Sequence, residues 1–348
     1  MHRKRIKQIY KRKVCNPVGI FYKYQLLMLL KAKSGRGLCM KFNHKPVMLE
    51  ECIRGLNIRE DGIYVDGTLG GAGHSFEIAK RLSKNGKLFG IDRDKEAIMA
   101  AKEKLKDFEN VEYIYGNHDD IKKLLKERNI QKVDGILLDL GVSSYQLDER
   151  NRGFSYLGSN ELDMRMDKEQ ELTAKKVINE YSEEMLFKII DEYGEERFAR
   201  NIARNIVKQR EAKEITTTDE LVKIIEESIP KSKQNGGHPA KKTFQAIRIE
   251  VNNEIKPLYN TILDCIDCLN KSGRLCVITF HSLEDRAVKE AFIEAAGKCT
   301  CPPDLPYCVC NYISKGKIIN KKPIVSTQEE LEVNSRAKSA KLRIFERI

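Results

Sequence analysis

The sequence predicts an α/β protein with a doubly wound parallel sheet, interrupted by a segment made of helices. Three observations support this fold class. Strand and helix patterns alternate over residues 61–140, helical patterns follow as far as residue 250, and a buried type of strand returns at residues 273–280. Strands that alternate with helices form parallel sheets, and ligands of such sheets bind beyond the carboxyl ends of the strands.

The alternating part contains four predicted strands with helices between them. The strands cover residues 63–66, 88–92, 111–115 and 133–140. Apolar residues at helical spacing mark two of the helices, namely Phe76, Ala79 and Leu82 and then Ala97, Ile98, Ala101 and Leu105. The fourth strand has an acidic end at Asp139, where a ligand is expected.

The segment between the fourth strand and residue 250 is predicted to be helical. Helices begin after Thr173, Ser182 and Thr217, and residues 217–220 have the pattern of a capping box. One helix carries a basic stripe on one face, formed by Arg197, Arg200, Arg204 and Lys208. Such a stripe suits a phosphate backbone. A solvated helix face is the more common explanation, because glutamates at 195, 196 and 211 dilute the positive charge.

Polar residues follow the last predicted strand, at its carboxyl end. The run is His281-Ser282-Leu283-Glu284-Asp285-Arg286. We expect Ser282 and Asp285 to form a second capping box for the helix that begins there. The position at the end of a core strand is where a substrate should bind. Taken alone, His281 is more often an ordinary histidine at a strand end than a catalytic one.

The net charge of the chain is concentrated in its first 39 residues. The 348 residues include 63 Lys and Arg against 51 Asp and Glu, a formal charge of +12. Residues 1–39 contain eleven basic and no acidic residues, so the remainder carries only +1. We interpret residues 1–40 as a disordered leader or the result of a start assigned upstream of Met40. An organelle-targeting peptide and an RNA-binding arm are the alternatives.

Composition and cysteine usage exclude several classes of protein. Hydrophobic residues at 41% and charged residues at 33% exclude a disordered or collagen-like chain. The ten cysteines are scattered over a long chain, which indicates a reducing, cytoplasmic setting. Four of them lie within twelve residues, at Cys299, Cys301, Cys308 and Cys310. This density suits a structural zinc ion, while reduced or reversibly oxidised thiols are the alternative.

The glycine-rich loop after the first strand predicts a nucleoside site. Glycines in residues 70–74 let the backbone turn sharply and approach a ligand, and Asp92 at the next strand end can hold both hydroxyls of a ribose. The loop lacks the G-x-G-x-x-G fingerprint and has no basic residue for a pyrophosphate. An adenosine without phosphates therefore fits best, which indicates S-adenosylmethionine. A tight β–α connection without a ligand is the structural alternative.

Ten motifs between residue 42 and the end occur in the order of one known family. They cover residues 44–50, 66–75, 91–94, 134–144, 152–155, 162–167, 193–197, 244–249, 280–286 and 339–343. With these motifs the sequence resembles the bacterial small-subunit ribosomal RNA (cytosine-N4)-methyltransferases of the MraW or RsmH type. Ten motifs in the right order make chance a poor explanation.

The resemblance implies a class I S-adenosylmethionine-dependent methyltransferase, with a Rossmann-like doubly wound sheet and an inserted all-helical domain. The core would comprise residues 41–141 and 250–348, and the insertion, residues 142–249, would recognise the substrate. The implied reaction is N4-methylation of a cytosine in the decoding centre. The implied partner is small-subunit ribosomal RNA, within an assembled or late-assembling 30S subunit. No membrane partner is implied. Naked RNA is the alternative substrate form, and the oligomeric state is left open.

The family motifs also imply site residues. The cofactor contacts would be Ala72, Gly73 and His74 in the glycine loop, Asp92 on the ribose, His118 near the adenine, and Asp139 and Gln146 beside the methionine moiety. We further expect Asp139, or a backbone carbonyl in residues 140–143, to accept hydrogen bonds from the cytosine amine.

Three positions depart from the usual pattern of the family. Ala72 stands where glycine is common, Tyr145 where proline is usual, and Lys241-Lys242 where Thr-Arg is frequent. An alanine at position 72 is expected only with a negative φ. The two lysines keep positive charge but lose the guanidinium fork.

Two other functions are compatible with parts of the sequence. A dehydrogenase-like enzyme would bind NAD in place of S-adenosylmethionine. An RNA-binding or assembly protein would bind ribosomal RNA without transferring a methyl group. Ligand binding separates the first alternative from a methyltransferase, and a methyl-transfer assay separates the second.

Overall fold

The computed structural model describes residues 46–143, 146, 147, 149, 152–234, 237–297, 307 and 313–348. The basic leader and the four clustered cysteines lie outside these residues, as does Tyr145. The zinc hypothesis and the interpretation of the leader therefore stay predictions. Within the described residues, no helix is both long enough and apolar enough to cross a membrane.

A mixed sheet of eight strands forms the centre of the described chain. The strands are β1 Ile63–Asp66, β2 Lys87–Asp92, β3 Val111–Tyr115, β4 Val133–Asp139, β5 Leu269–Thr279, β6 Gly316–Ile318, β7 Ile324–Val325 and β8 Lys341–Arg347. Their order is β3-β2-β1-β4-β5-β8-β6, and β7 also pairs with β8. Strands β1 to β5 pair in parallel, and β8 pairs antiparallel with β5, β6 and β7. This arrangement confirms the predicted Rossmann-like fold class.

Helices cover the sheet and fill the long connection between β4 and β5. They are α1 Leu49–Leu56, α2 Gly73–Ala79, α3 Lys95–Lys104, α4 Ile121–Lys126, α5 Ala174–Glu180, α6 Glu183–Glu192, α7 Ala199–Ala212, α8 Thr218–Ser228, α9 Lys241–Asn252, α10 Leu258–Cys268, α11 Ser282–Ala296 and α12 Gln328–Val333. The predicted helix starts are confirmed. Thr173 and Ser182 cap α5 and α6, and Thr217 with Glu220 forms the predicted capping box of α8.

The second predicted capping box is wrong by one residue. Helix α11 is capped by His281, whose Nδ1 accepts a hydrogen bond from the Glu284 backbone N–H at 3.5 Å. The Glu284 carboxylate in turn accepts from the backbone N–H of Phe280 at 2.7 Å. Here an imidazole nitrogen accepts the capping hydrogen bond that a serine hydroxyl usually accepts. Asp285 instead pairs with Arg343 on β8 at 2.6 Å.

Alternate residues of the central strands point to opposite faces of the sheet, and both faces are buried. Ile136 and Leu138 of β4 pack with α10 and α11 in one apolar cluster. Leu137, between them, packs with α1 and with Cys276 of β5 in a second cluster. This period-two alternation follows from strand geometry. Burial on both faces explains why these strands read as continuous apolar runs.

The helices between β4 and β5 have an apolar core of their own. It is formed by one face of each helix from α5 to α9 and includes Ile178, Ile190, Ile206, Ile225 and Ile247. Phe154 and Met164, in the extended chain before α5, pack against the same cluster. Self-contained packing of this kind agrees with an inserted helical domain. The domain boundaries at residues 142 and 249 themselves stay a prediction.

Candidate active site

Three carboxylates meet at the carboxyl edge of the parallel strands. Asp66 ends β1, Asp92 ends β2 and Asp139 ends β4, and β1 lies between the other two strands. Asp66 is buried and accepts a hydrogen bond from the Ser75 hydroxyl at 2.6 Å. Because this edge is where ligands of doubly wound sheets bind, these residues define the candidate active site.

Asp92 fixes the glycine loop through backbone hydrogen bonds. Its Oδ2 accepts from the Gly70 N–H at 2.8 Å, and its Oδ1 accepts from the Asp94 N–H at 2.8 Å. Burial raises the pKa of Asp92 to about 6, although these two bonds act against the rise. Each carboxylate oxygen has a second lone pair. Asp92 can therefore shape the loop and still accept hydrogen bonds from ribose hydroxyls.

The expectation of a negative φ at Ala72 is wrong. Ala72 has a φ of 52° and a ψ of 35°, in the left-handed region, and is fully buried. Its N–H donates to the Leu69 carbonyl at 2.7 Å, so the chain reverses here before α2 begins. The tight turn overrides the preference of the side chain, at a cost of about 1 kcal/mol.

Replacing Ala72 by glycine is therefore expected to raise the free energy of unfolding by about 0.5 kcal/mol, because glycine adopts a positive φ without the steric penalty. The greater freedom of glycine in the unfolded chain offsets part of the gain. Urea unfolding followed by circular dichroism measures the change. Ala101→Gly, inside α3, is the control and should lower the free energy of unfolding by about 1 kcal/mol or more. An equal loss in both variants would contradict the strain at Ala72.

Gly73 and His74 join the glycine loop to the segment before α1. A Cβ at Gly73 would lie 2.2 Å from the Pro46 Cγ, so only glycine fits this contact. The Nε2 of His74 lies 3.0 Å from the Val47 carbonyl oxygen. The Nδ1 on the other side of the ring lies 3.8 Å from the Asp139 Oδ2. His74 thus links the start of the described chain to the end of β4.

Asp139 has one carboxylate oxygen without a partner. Its Oδ1 is buried and makes no hydrogen bond, while its backbone N–H donates to the Thr68 hydroxyl at 2.6 Å. Burial raises the pKa of Asp139 to about 6. An unsatisfied buried carboxylate oxygen is costly to the folded protein. An N–H donor of a bound ligand would satisfy it, and this fits the predicted role of Asp139.

Gln146 and His118 lie beside the same strand ends. The Gln146 side chain donates to Asp94 Oδ2 at 3.0 Å and accepts from the Ser143 N–H at 3.0 Å. His118 begins a short 3-10 turn after β3, with its Nε2 3.7 Å from Asp119 Oδ1. Burial lowers the pKa of His118, against the charge of Asp119, which raises it. A half-buried imidazole with a lowered pKa suits contact with an uncharged purine.

A buried ion pair that the sequence analysis missed holds these loops together. Arg152 is 2% exposed, and its Nη2 lies 3.0 Å from the Asp94 Oδ2. The other terminal nitrogen, Nη1, lies 2.9 Å from the Glu96 Oε2. Arg152 belongs to one of the family motifs, but no spacing rule points to an acid 58 positions earlier in the chain. The pair ties the chain after β4 to the loop that carries Asp92.

A second charged group that was missed flanks the chain after Asp139. A Cβ at Gly141, which has a φ of 87°, would lie 3.9 Å from the Glu284 Oε1 and 4.0 Å from the Arg248 Nη2. Arg248 also forms two hydrogen bonds to Glu254, at 2.9 and 3.0 Å. In the sequence, Glu284 is only one member of the polar run after the last strand. Its buried position next to Gly141 follows from the pairing of β4 with β5.

Comparison with known proteins identifies the family. Residues 41–348 match the MraW methylase family. The chain belongs to this family. A ribosomal RNA small subunit methyltransferase H from Lachnospira eligens is 60% identical over 314 residues, which are 90% of this chain and 100% of that protein. The protein of the same name from Clostridium botulinum strain Kyoto is 59% identical over 309 residues, or 89% of this chain and 100% of its own.

One solved structure shares much less sequence with this chain. An rRNA methylase from Streptococcus thermophilus aligns with 88% of this chain and 99% of its own, at 12% identity and a TM-score of 0.37. The family match confirms the resemblance predicted from the ten motifs. The chain is therefore a methyltransferase, and S-adenosyl-L-methionine, predicted from the glycine loop, is the methyl donor of this family.

The residues at the strand ends fit this cofactor. Gly71 has no atom within 4 Å of the position of a Cβ, so space is open beside the loop. Asp92 retains lone pairs for ribose hydroxyls, and Asp139 Oδ1 lacks a donor. All seven predicted residues lie at or next to this edge of the sheet, namely Ala72, Gly73, His74, Asp92, His118, Asp139 and Gln146. Their individual contacts with the cofactor stay predictions.

Proposed function

We propose that this MraW-family methylase transfers a methyl group from S-adenosyl-L-methionine to the N4 amine of a cytosine in the decoding centre of small-subunit ribosomal RNA. The observation that carries the reaction is the buried, unpartnered Oδ1 of Asp139 at the end of β4. The names of the two similar proteins support small-subunit ribosomal RNA as the substrate. The cytosine and its position come from the family motifs of the sequence.

The chemistry explains why a carboxylate is needed at this point. The lone pair of the cytosine amine is delocalised into the ring, so the amine is a poor nucleophile. When bound, S-adenosyl-L-methionine supplies a methyl group activated by a positive sulfur. Asp139 would accept a hydrogen bond from the amine, which stabilises positive charge on nitrogen and holds the amine in line with the methyl group. The target base would leave its stack to reach this depth.

The predicted basic stripe is the best candidate for contact with the RNA backbone, although only three of its residues, Arg200, Arg204 and Lys208, lie on α7. The prediction that Arg197 belongs to the same helix is wrong, because α7 begins at Ala199 and Arg197 lies in the turn before it. Arg197, Arg200, Arg204 and Lys208 are all exposed, while Ile202 and Ile206 on the opposite face are buried. Arg200 lies over the Phe187 ring at 4.0 Å and 3.6 Å from Glu184. The guanidinium of Arg200 is therefore already engaged within the protein, and the other three basic residues are the better candidates to contact RNA phosphates.

Replacing Arg197, Arg204 and Lys208 together by glutamine is expected to weaken RNA binding and to reduce the slope of log Kd against log salt by about 2. With fewer phosphate contacts, fewer counterions are released on binding, and this is why the slope changes. Filter binding over a range of salt concentrations measures both quantities. Lys80, Lys84 and Lys87, three exposed lysines at or near the amino-terminal edge of β2, provide the matched triple glutamine control. Equal losses in the two triple variants would contradict a role for the stripe.

Removal of residues 1–39 is expected to leave methyl transfer and RNA affinity unchanged, because the family match begins at residue 41. The comparison is between the full chain and a chain that starts at Met40, in the same assay and at the same ionic strength. A loss of RNA affinity on truncation would show that the basic leader takes part in RNA binding, and would favour the alternative of an RNA-binding arm.

The decisive experiment is a methyl-transfer assay with radiolabelled S-adenosyl-L-methionine. The substrates are small subunits from a strain that lacks the enzyme and, in parallel, naked ribosomal RNA. We expect one methyl group per RNA, and mass mapping of the product nucleotide should place it on N4 of one cytosine. Binding of RNA without incorporation would favour an assembly protein. Calorimetric binding of NAD and not of S-adenosyl-L-methionine would favour a dehydrogenase.

A further inference from the structure

The contact between His74 and Val47 fixes which ring nitrogen of His74 carries a hydrogen. The Nε2 lies 3.0 Å from the Val47 carbonyl oxygen, and the side chain is 6% exposed. A carbonyl oxygen can only accept a hydrogen bond, so the Nε2 must donate. In the neutral ring, Nδ1 then has a free lone pair. His74 is therefore held in the form that can accept a proton at Nδ1.

The free lone pair of His74 faces Asp139. The Nδ1 lies 3.8 Å from the Asp139 Oδ2. When the ring is neutral and the carboxylate ionised, two acceptors face each other with no hydrogen between them. A proton on either group converts this contact into an attraction, which would draw the two atoms from 3.8 Å to hydrogen-bond distance, so that the pair can hold one proton between them.

The reaction under the proposed function produces one such proton. The amine nitrogen uses its lone pair to form the new N–C bond, and the electrons of the methyl–sulfur bond stay on sulfur and cancel its charge. The nitrogen must then lose one proton to become neutral. We propose that this proton passes from the amine to the Asp139 carboxylate and then to Nδ1 of His74, which holds it until water can take it. This inference rests on the proposed function.

Three other titratable groups face Asp139. They are Asp66 from β1, Glu284 from α11 and Cys52 from α1. Asp66 accepts from the Ser75 hydroxyl, and Glu284 accepts from the backbone N–H of Phe280. Both carboxylates raise the pKa of Asp139, in addition to burial, whereas His74 lowers it. Burial also raises the pKa of the Cys52 thiol well above its usual value. Of these neighbours, His74 is the one that offers an imidazole nitrogen to Asp139, at 3.8 Å.

Replacing His74 by glutamine tests the relay. The glutamine amide can still donate to the Val47 carbonyl but offers no base at the position of Nδ1. We expect kcat to fall about 100-fold, a larger change than any rise in Kd for S-adenosyl-L-methionine measured by calorimetry, since His74 is also a predicted cofactor contact. Without His74, which lowers the pKa of Asp139, the carboxylates Asp66 and Glu284 still raise it, so the acid limb of kcat/KM should move to higher pH. A purely structural role would lower the rate without moving the limb.

A second measurement does not depend on catalysis or on folding of a variant. ¹⁵N NMR of histidine-labelled wild-type protein at pH 8, without cofactor or RNA, reports the tautomer of His74. We expect hydrogen on Nε2 and a free Nδ1. Hydrogen on Nδ1 would overturn the relay, as would full kcat in His74→Gln or a loss of activity explained by weaker cofactor binding. Wild-type protein that methylates no RNA would instead overturn the proposed function, whatever the NMR result.

Discussion

Replacing Asp139 by asparagine is expected to lower kcat for methyl transfer by about 10²–10⁴-fold, because an amide cannot accept the proton of the target amine. The affinity for S-adenosyl-L-methionine should change less, since the amide oxygen can still accept a hydrogen bond. Single-turnover rates and calorimetry measure the two quantities. Unchanged affinity together with unchanged turnover would contradict the role given to Asp139.

The same variant should be more stable than the wild-type protein. Burial raises the pKa of Asp139 to about 6 in the folded protein, against about 4 in an unfolded chain. The folded state therefore holds the proton more tightly, and stability falls as the pH rises from about 4 to 6. Asparagine has no charge to bury, so at pH 8 we expect Asp139→Asn to raise the free energy of unfolding by about 1–2 kcal/mol. Activity of the wild type should fall below pH 6, where the carboxylate becomes protonated.

The start of the same strand offers a matched control. Asp134 of β4 accepts hydrogen bonds from the Ile63 N–H and the Asn270 amide, both at 2.8 Å, and pairs with Arg59. Asp134→Asn should lower the free energy of unfolding and leave kcat unchanged, which is the opposite pattern. If both variants lost stability and activity together, the loss in Asp139→Asn would reflect damage to the strand and not to the chemistry.

Replacing Arg152 by methionine is expected to lower the free energy of unfolding by about 3–5 kcal/mol, because it leaves the buried carboxylate of Asp94 without its positive partner. Cofactor affinity should fall as well. Asp94 donates its N–H to Asp92 and accepts from the Gln146 amide, so its displacement disturbs both predicted cofactor contacts. Urea unfolding and calorimetry with S-adenosyl-L-methionine measure the two effects.

Arg165→Met is the control for Arg152. Arg165 pairs with Asp163 at 2.7 Å, but both side chains remain partly exposed to water. Its loss should cost about 1 kcal/mol or less and leave cofactor affinity unchanged. A change of under 1 kcal/mol in Arg152→Met would show that the buried pair is not needed to hold the two loops together.

The sequence alone predicts the bounds of the strands that have a clear pattern. Strands β1 and β3 begin and end at the predicted residues, because turn residues flank each short apolar run. Strand β5 begins at Leu269, four residues earlier than predicted, because α10 runs directly into it. Strands β6 and β7 have three and two residues, too few for a pattern, and β8 mixes charged and apolar residues.

In the candidate site, too, some features follow from the sequence and others depend on the folded chain. Asp92 and Asp139 could be predicted because strand topology alone brings the ends of β2 and β4 to one edge. The positive φ of Ala72 could not, because it depends on how tightly the chain must turn into α2. Nor could the pairing of Arg152 with Asp94, since the two residues meet only after the chain following β4 has folded back.

The long connection between β4 and β5 also bears on the order of folding. The two strands lie side by side although about 130 residues separate them in the chain. Closing so long a loop costs conformational entropy before any strand contact repays it, and such contacts slow folding. Helices α5 to α9 have their own apolar core, so they can condense first and bring the two ends closer together. The helical segment would then assist completion of the sheet, and this role in folding is separate from any contact with RNA.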